Sequence, residues 1–213
     1  MIIPRPGSSD PLLVVEGKDD LHVISHLSGR AAPFLTFGIR DYEGIDNVLG
    51  SINGHIDTPG RPAVGFVMDS DRDPNQTWDR VQGEFAKAVR AVALPDRPDP
   101  NGTIISESPG TGEPRIGIWM MPDNTSPGEL EDFVAEMIPE DDRVWPLSRR
   151  YVNQIPLVER KFAESKTGRA QVHAWLAVQE DPRPMGLAIR TQDLQIANLL
   201  SQTFLAWLNR LFA

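Results

Sequence analysis

Leu12-Leu13-Val14-Val15-Glu16-Gly17-Lys18-Asp19-Asp20 and, later, Ala63-Val64-Gly65-Phe66-Val67-Met68-Asp69-Ser70-Asp71 share one plan. Each is an apolar run without polar interruption that ends abruptly in acid. An unbroken apolar run of strand length fits a strand covered on both faces, as in a parallel sheet. Each run is followed by helix-like sequence. After Glu16-Gly17, Asp19 or Asp20 is suited to open a helix running to about Leu27. Working outward, Phe34 to Ile39 reads as a second strand. Ile45 to Ile56 reads as a helix, with Ile45, Val48, Leu49 and Ile52 on one face. A helix from about Trp78 to Val92 follows the Asp69-Ser70-Asp71 turn. Strand and helix alternate, so the expected fold class is α/β, with an open, mostly parallel sheet flanked by helices.

The stretch from Pro95 to Gly112 is rich in Pro, Gly, Asp and Ser and reads as loop, with one candidate strand at Thr103-Ile104-Ile105. Arg115 to Met121 is another apolar strand, closed by Pro122-Asp123-Asn124, and Glu129 begins a helix to about Ile138. From Trp145 onward strand signals stop. Helices are expected over Tyr151–Lys166, Ala170–Val178 and Leu194–Phe212, the last strongly amphipathic. The reading is therefore an α/β core at 1–142 and a helical C-terminal extension at 143–213 packed on it. At 213 residues and about 150 per domain, one structural unit is expected.

Composition narrows the function classes. With 40% hydrophobic and 24% charged residues the chain is globular, which excludes a disordered or fibrous protein. There are no cysteines, which excludes thiol catalysis, zinc-thiolate sites and disulfides. No apolar run reaches the length of a membrane span and the N-terminus lacks a signal-like apolar region, so a cytoplasmic protein without a membrane partner is expected. The net charge of −9 is unevenly spread. Residues 1–142 hold 11 Lys/Arg against 25 Asp/Glu, whereas residues 143–213 hold 10 against 5. The surplus lies in Arg143, Arg149, Arg150, Arg160, Lys161, Lys166 and Arg169, opposed only by Glu159 and Glu164. An acidic body beside a basic segment suits a cation-binding centre next to a phosphate-binding surface; the alternative is a solvated face with no partner.

Three strands end in acid: Glu16, then Asp69 and Asp71, then Asp123 with Glu129, Glu131 and Asp132 just beyond. In an open parallel sheet these ends lie along one edge, where ligands bind. Carboxylates gathered there repel one another, and a divalent cation relieves the repulsion. Hard oxygen donors with no His or Cys alternative favour Mg²⁺, Mn²⁺ or Ca²⁺ over zinc. The competing reading is that such acids are caps and turn formers. Asp69-Ser70-Asp71-Arg72-Asp73 fails as an EF-hand loop, with Pro74 and Arg80 where Gly and Glu belong. His22, His26, His55 and His173 are scattered and read as structural or solvent-facing. The tryptophans read as core, with Trp78 and Trp145 nearest to charged loops.

Glu16-Gly17 after one strand and Asp69-Ser70-Asp71 after a later one resemble the paired signatures of the Toprim domain of topoisomerases and primases. The resemblance covers about residues 10–140. It is strongest to small stand-alone Toprim proteins and to the nucleases named for overcoming lysogenisation defect, which share an acidic turn such as Pro122-Asp123-Asn124-Thr125-Ser126-Pro127-Gly128-Glu129-Leu130-Glu131-Asp132. It implies a Toprim-like fold and a metal-dependent phosphodiesterase, a nuclease acting on DNA or RNA with one or two divalent cations. Glu16, Asp20, Asp69 and Asp71 match metal-ligand positions, and Glu129 and Glu131 match a second acidic cluster. Glu16 and Lys166 are the implied catalytic residues, Lys166 by position only. Arg143, Arg149, Arg150, Arg160, Lys161 and Arg169 are the candidate nucleic-acid contacts. No phosphate-binding Gly-x-x-x-x-Gly-Lys-Ser/Thr loop is present, so a partner ATPase would be a separate chain. The rival readings are a non-catalytic cation-, nucleotide- or partner-binding module, with Leu194–Phe212 as a homodimer or partner surface, and a phosphotransferase acting on a small phosphorylated substrate.

Overall fold

The computed structural model describes residues 7, 9–30, 35–88, 92–105 and 112–213. Its sheet has five strands: β1 (Leu12–Val15), β2 (Gly38–Asp41), β3 (Ala63–Asp69), β4 (Thr103–Ile105) and β5 (Arg115–Met121). They run in the order β2-β1-β3-β5-β4. The first four in that row are mutually parallel, and β4 is antiparallel on the edge beside β5. The α/β, mostly parallel open sheet is thus present, and its architecture is consistent with a Toprim-like fold.

The helices are α1 (Lys18–Ser28), α2 (Ile45–Ile56), α3 (Pro74–Phe85), α4 (Leu130–Ala135), α5 (Trp145–Gln154), α6 (Thr167–Leu176), α7 (Met185–Arg190) and α8 (Leu199–Phe212). Strand side chains alternate between the two faces, and the core divides accordingly. Val14, Val64, Phe66, Met68, Ile118 and Met120 pack under α2 and α3. Leu13, Val15, Val67, Trp119 and Met121 pack under α1, α4, α6, α7 and α8. The C-terminal helices therefore form, with α1 and α4, one of the two layers covering the sheet.

Two glycines let α8 approach closely. Gly65 and Gly117 face each other across β3 and β5, and a side chain at either would meet Leu211 of α8 within 2.7 Å. Trp207 fills the space beside them and donates from Nε1 to the Thr103 carbonyl at 3.2 Å. Gly186 does the same for α7, where an added Cβ would meet the backbone and Cβ of His22 in α1 within 2.9 Å.

Several boundaries differ from the sequence reading. Strand β2 spans Gly38–Asp41 instead of Phe34–Ile39. Phe34 lies outside the described residues, and Phe37 stacks on Phe212 with ring centroids 4.3 Å apart instead of extending the ladder. Helix α3 starts at Pro74, not Trp78, because Asp73 Oδ1 accepts from the backbone N–H groups of Asn75 and Gln76. It ends by Phe85 and does not continue to Val92, which is not helical; 89–91 lie outside the described residues. Tyr151–Lys166 is not one helix. Pro156, which has no N–H to give, follows the end of α5, and short 3-10 turns at Leu157–Glu159 and Glu164–Lys166 carry the chain to α6. Helix α7 had no counterpart in the reading, and α8 starts at Leu199, where Asn198 caps Ser201 N at 2.8 Å. Trp78 is core, with its indole N–H donated to the Pro95 carbonyl at 3.1 Å.

The glycine packing makes a prediction of opposite signs. A Cβ at Gly186 would lie 2.8 Å from the backbone carbon of His22, so Gly186→Ala should force α1 and α7 apart and cost about 1–3 kcal/mol. Gly83, inside α3, has nothing within 4 Å of an added Cβ, so Gly83→Ala should gain roughly 0.5–1 kcal/mol from helix propensity. Thermal melts of the two variants check both signs.

Candidate metal and phosphate centre

The carboxyl ends of the parallel strands open onto a cleft of about 420 Å³ lined by Glu16, Asp20, Asp41, Glu43, Asp69, Glu131 and Arg169, among others. Three of its acids are held alike. Glu16 Oε1 accepts from the Asp69 N–H at 2.9 Å. Asp69 Oδ1 accepts from the Leu130 N–H at 3.0 Å. Asp20, in the first turn of α1, accepts through Oδ2 from the Gly17 N–H at 3.1 Å. Asp20 thus does not open α1; it reaches back from the third helical position. Each carboxylate spends one oxygen on a backbone donor, and its second oxygen has no hydrogen bond among the described residues. For Asp20 that second atom, Oδ1, is buried and orphaned on a side chain whose residue is only 7% exposed.

Burial and proximity act together on these groups. Burial, then the neighbouring Asp71 charge, pushes Glu16 up to about 7 despite the Asp69 N–H. Burial, then Glu16, pushes Asp20 up to about 7. Asp69 is raised well above the usual carboxylate range by burial, then by Asp20, Glu16, Glu129 and Glu131.

A second, adjoining cleft of about 300 Å³ is lined by Asp71, Arg72, Arg80, Glu129, Ser165 and Lys166, among others. Asp71 sits at φ +51° and bridges backbone to backbone with Gly128, N–H to carbonyl at 3.0 Å and back at 2.8 Å. Ser70 Oγ lies 2.6 Å from the Met121 carbonyl and 2.7 Å from that of Ser126. These contacts fasten the acidic turn to the end of β3 and so present Glu129 and Glu131 beside Asp69.

Glu129 and Glu131 are not free acids. Lys166 Nζ bonds Glu129 Oε1 and lies 3.9 Å from Asp71 Oδ1. Arg169 Nε bonds Glu131 Oε1 at 2.6 Å, and its guanidinium lies 3.5 Å from Glu129 Oε2. His173 Nε2 stands 3.7 Å from Glu131 Oε1. Although burial opposes ionisation of Glu131, His173 and Arg169 hold it below the usual range. Among the described residues, no three His, Cys or carboxylate side chains are grouped as a ready-made metal site. Backbone N–H groups and α6 cations already engage one or both oxygens of most of these acids.

The six carboxylates singled out from sequence thus line two touching clefts: Glu16, Asp20, Asp69 and Glu131 one, Asp71 and Glu129 the other. Lys166 reaches the second, from a 3-10 turn and not from within a helix. Asp123, the third strand-end acid, is absorbed by its own turn, where it accepts from the N–H groups of Thr125 and Ser126. The basic segment is divided. Arg143, Arg149, Arg150 and Lys161 are exposed, Arg160 is tied to the carbonyls of Ile155 and Asn153, and Arg169, itself half-exposed, is paired with the buried Glu131. Sequence reading missed Asp41, a fourth strand-end acid, because β2 was placed too early. It also missed His173, whose spacing from Lys166 and Arg169 puts all three on one face of a helix.

Residues 10–213 match the model of a protein family described as Protein of unknown function (DUF3226). The chain belongs to that family. No curated protein and no solved structure matches it. The match spans the strand-end acids and α6 together, so both halves of this DUF3226 centre fall within one family unit.

The raised acids have a measurable consequence in EDTA. Their folded pKa exceeds the unfolded value, so the native state binds more protons between about pH 4 and 7. The stabilisation is complete below pH 4 and is lost as pH rises through 7. Asp20→Asn keeps an acceptor for Gly17 and removes the charge. It should flatten the fall in Tm across this window and raise Tm at pH 8 by roughly 3 °C, the shift that ~1 kcal/mol produces at this chain length. Melts from pH 4 to 8 decide it.

Proposed function

We propose that this protein is a divalent-cation-dependent phosphodiesterase, a nuclease acting on DNA or RNA, with Glu16, Asp20 and Asp69 as the cation-holding set. The observation that carries the reading is the shared fastening of these three carboxylates. Each is anchored by one oxygen to a backbone N–H and keeps a second without a hydrogen bond among the described residues, in one cleft where Asp20 is buried and Glu16 and Asp69 are half-buried. The donor set fits Mg²⁺ or Mn²⁺: hard oxygens, excess negative charge, and an orphaned atom at Asp20 Oδ1. When bound, such an ion would activate water and stabilise charge on phosphate oxygens.

The protein's own groups then divide the work. Asp69 and Asp20 hold position through Leu130 and Gly17. Glu16, tied to the Asp69 N–H through one oxygen, would help to hold the ion and to orient the attacking water beside it. Lys166, with burial opposed by Glu129 and its pKa raised overall, stays charged and would meet a phosphate oxygen beside Asp71. Arg149, Arg150, Arg143 and Lys161, exposed around α5, would carry backbone phosphates. The resemblance to the Toprim nucleases agrees with these roles. No helix among the described residues is long and apolar enough to cross a membrane, in line with a nucleic-acid partner.

A specific observation keeps the binding-module reading alive. Val144, Leu147 and Tyr151 line one exposed side of α5, followed by Leu157 at 73% and Val158 at 89% exposure. Apolar side chains left in water beside arginines suit a protein partner as well as they suit nucleic acid.

Two experiments separate the readings. Millimolar Mn²⁺ should raise Tm of the wild type by mass action, and much less so in Asp69→Asn/Asp71→Asn. Glu16→Gln should fold, bind nucleic acid and lose cleavage by at least about 100-fold. Wild type that cuts plasmid, single-stranded DNA and tRNA no better than Glu16→Gln would leave the binding module as the function. Arg149→Glu/Arg150→Glu should weaken nucleic-acid binding and flatten its salt dependence while leaving the Mn²⁺ shift intact. Unchanged binding across salt would make that face a solvated one.

A further inference from the structure

Two cations and a histidine form a stripe along α6 and its entry turn. Lys166, Arg169 and His173 lie along one side of the helix and its entry turn, and all three face Glu129 or Glu131. The carboxylates they meet are buried, 5% and 1% exposed, so the pairs are not surface accidents. Their placement is enforced by backbone packing. A Cβ on Gly168, between the two cations, would lie 2.5 Å from Asp132 Oδ1, so the start of α6 sits hard against α4. Asp132 in turn accepts from the Glu129 N–H at 2.8 Å. The guanidinium of Arg169 reaches both oxygens of Glu131, at 2.6 and 3.4 Å, and also lines the cleft of Glu16, Asp20 and Asp69.

A second divalent ion between Asp69 or Asp71 and the Glu129/Glu131 pair would compete with Lys166 for Glu129 Oε1 and with Arg169 for both oxygens of Glu131. It would have to displace two cations that are covalently part of the chain and already aligned on these buried carboxylates. The three acids without cationic partners, Glu16, Asp20 and Asp69, face no such competitor.

We infer that Arg169 and Lys166 take the place of a second metal ion, so that the centre binds one divalent cation, at Glu16, Asp20 and Asp69, and meets the other side of a phosphate with fixed side-chain charge. This rests on the divalent-cation reading above. Arg169 is then a positioning residue for Glu131 and a standing positive charge on the cleft wall.

Equilibrium dialysis against Mn²⁺, with metal counted by atomic emission, tests the inference without any assay of activity. Wild type should bind one Mn²⁺ per chain. Lys166→Gln/Arg169→Gln should melt lower in EDTA, recover in Mn²⁺ and bind two, because Glu129 and Glu131 are released. Two ions on the wild type, or still one on the double variant, would overturn the inference while leaving a metal enzyme. No ion on the wild type would instead sink the divalent-cation reading itself. Should the double variant fail to fold, the charge-balanced Glu129→Gln/Glu131→Gln/Lys166→Gln/Arg169→Gln chain decides. It should keep one Mn²⁺ within about threefold of wild-type affinity, and binding none would show that Glu129 or Glu131 is needed for the first ion.

Discussion

Everything at the functional edge depends on how Asp69 is held. It ends the central strand β3, gives its N–H to Glu16 and takes the N–H of Leu130 into its own carboxylate. One residue thereby locks the ends of β1 and β3 to the first turn of α4. A buried carboxylate in that position is costly unless hydrogen bonds or charge answer it. The protein answers half of each acid with backbone donors and leaves the other half open, which concentrates unmet negative charge in one cleft. Stability and function pull against each other here, as expected where a site is built to receive something charged.

The C-terminal third acts on the same edge. Helices α7 and α8 serve mainly as cover for the sheet, through Gly186, Trp207 and the Gly65/Gly117 pair. Helix α6 and its entry turn do something different, because Arg169 and Lys166 are turned toward the strand ends and pair with Glu131 and Glu129. The uneven charge of the chain is thus partly resolved inside one molecule, while Arg143, Arg149, Arg150 and Lys161 face outward.

Much of this was legible in the sequence, for identifiable reasons. Strands β1, β3 and β5 were readable because burial on both faces leaves an unbroken apolar run, and the acids at their ends were readable because polarity changes abruptly there. The boundaries that moved were governed by other residues. Asp73 and Pro74 set the start of α3 by capping, Pro156 ended α5, and the Phe37–Phe212 stack, a contact between distant parts of the chain, took the residues before β2 out of the ladder. The acids could be named but not sorted. That Asp123 would be spent on its own turn, whereas Glu131 would be spent on Arg169, depends on tertiary approach that no local pattern encodes.

The same sorting explains why a basic residue count misled. Arg149 and Arg169 look equivalent in a charge profile, yet one faces solvent over the Trp145 ring and the other is forked onto a buried carboxylate. The fork is what a guanidinium does better than an ammonium, since its planar donors match both oxygens of a carboxylate at once. Its position beside Glu16, Asp20 and Asp69 means that a phosphate entering the cleft would encounter positive charge already fixed on one wall and open carboxylate oxygens on the other. On the proposed function, an anion and a cation would then sit side by side without either one having to bring the other's neutralising charge.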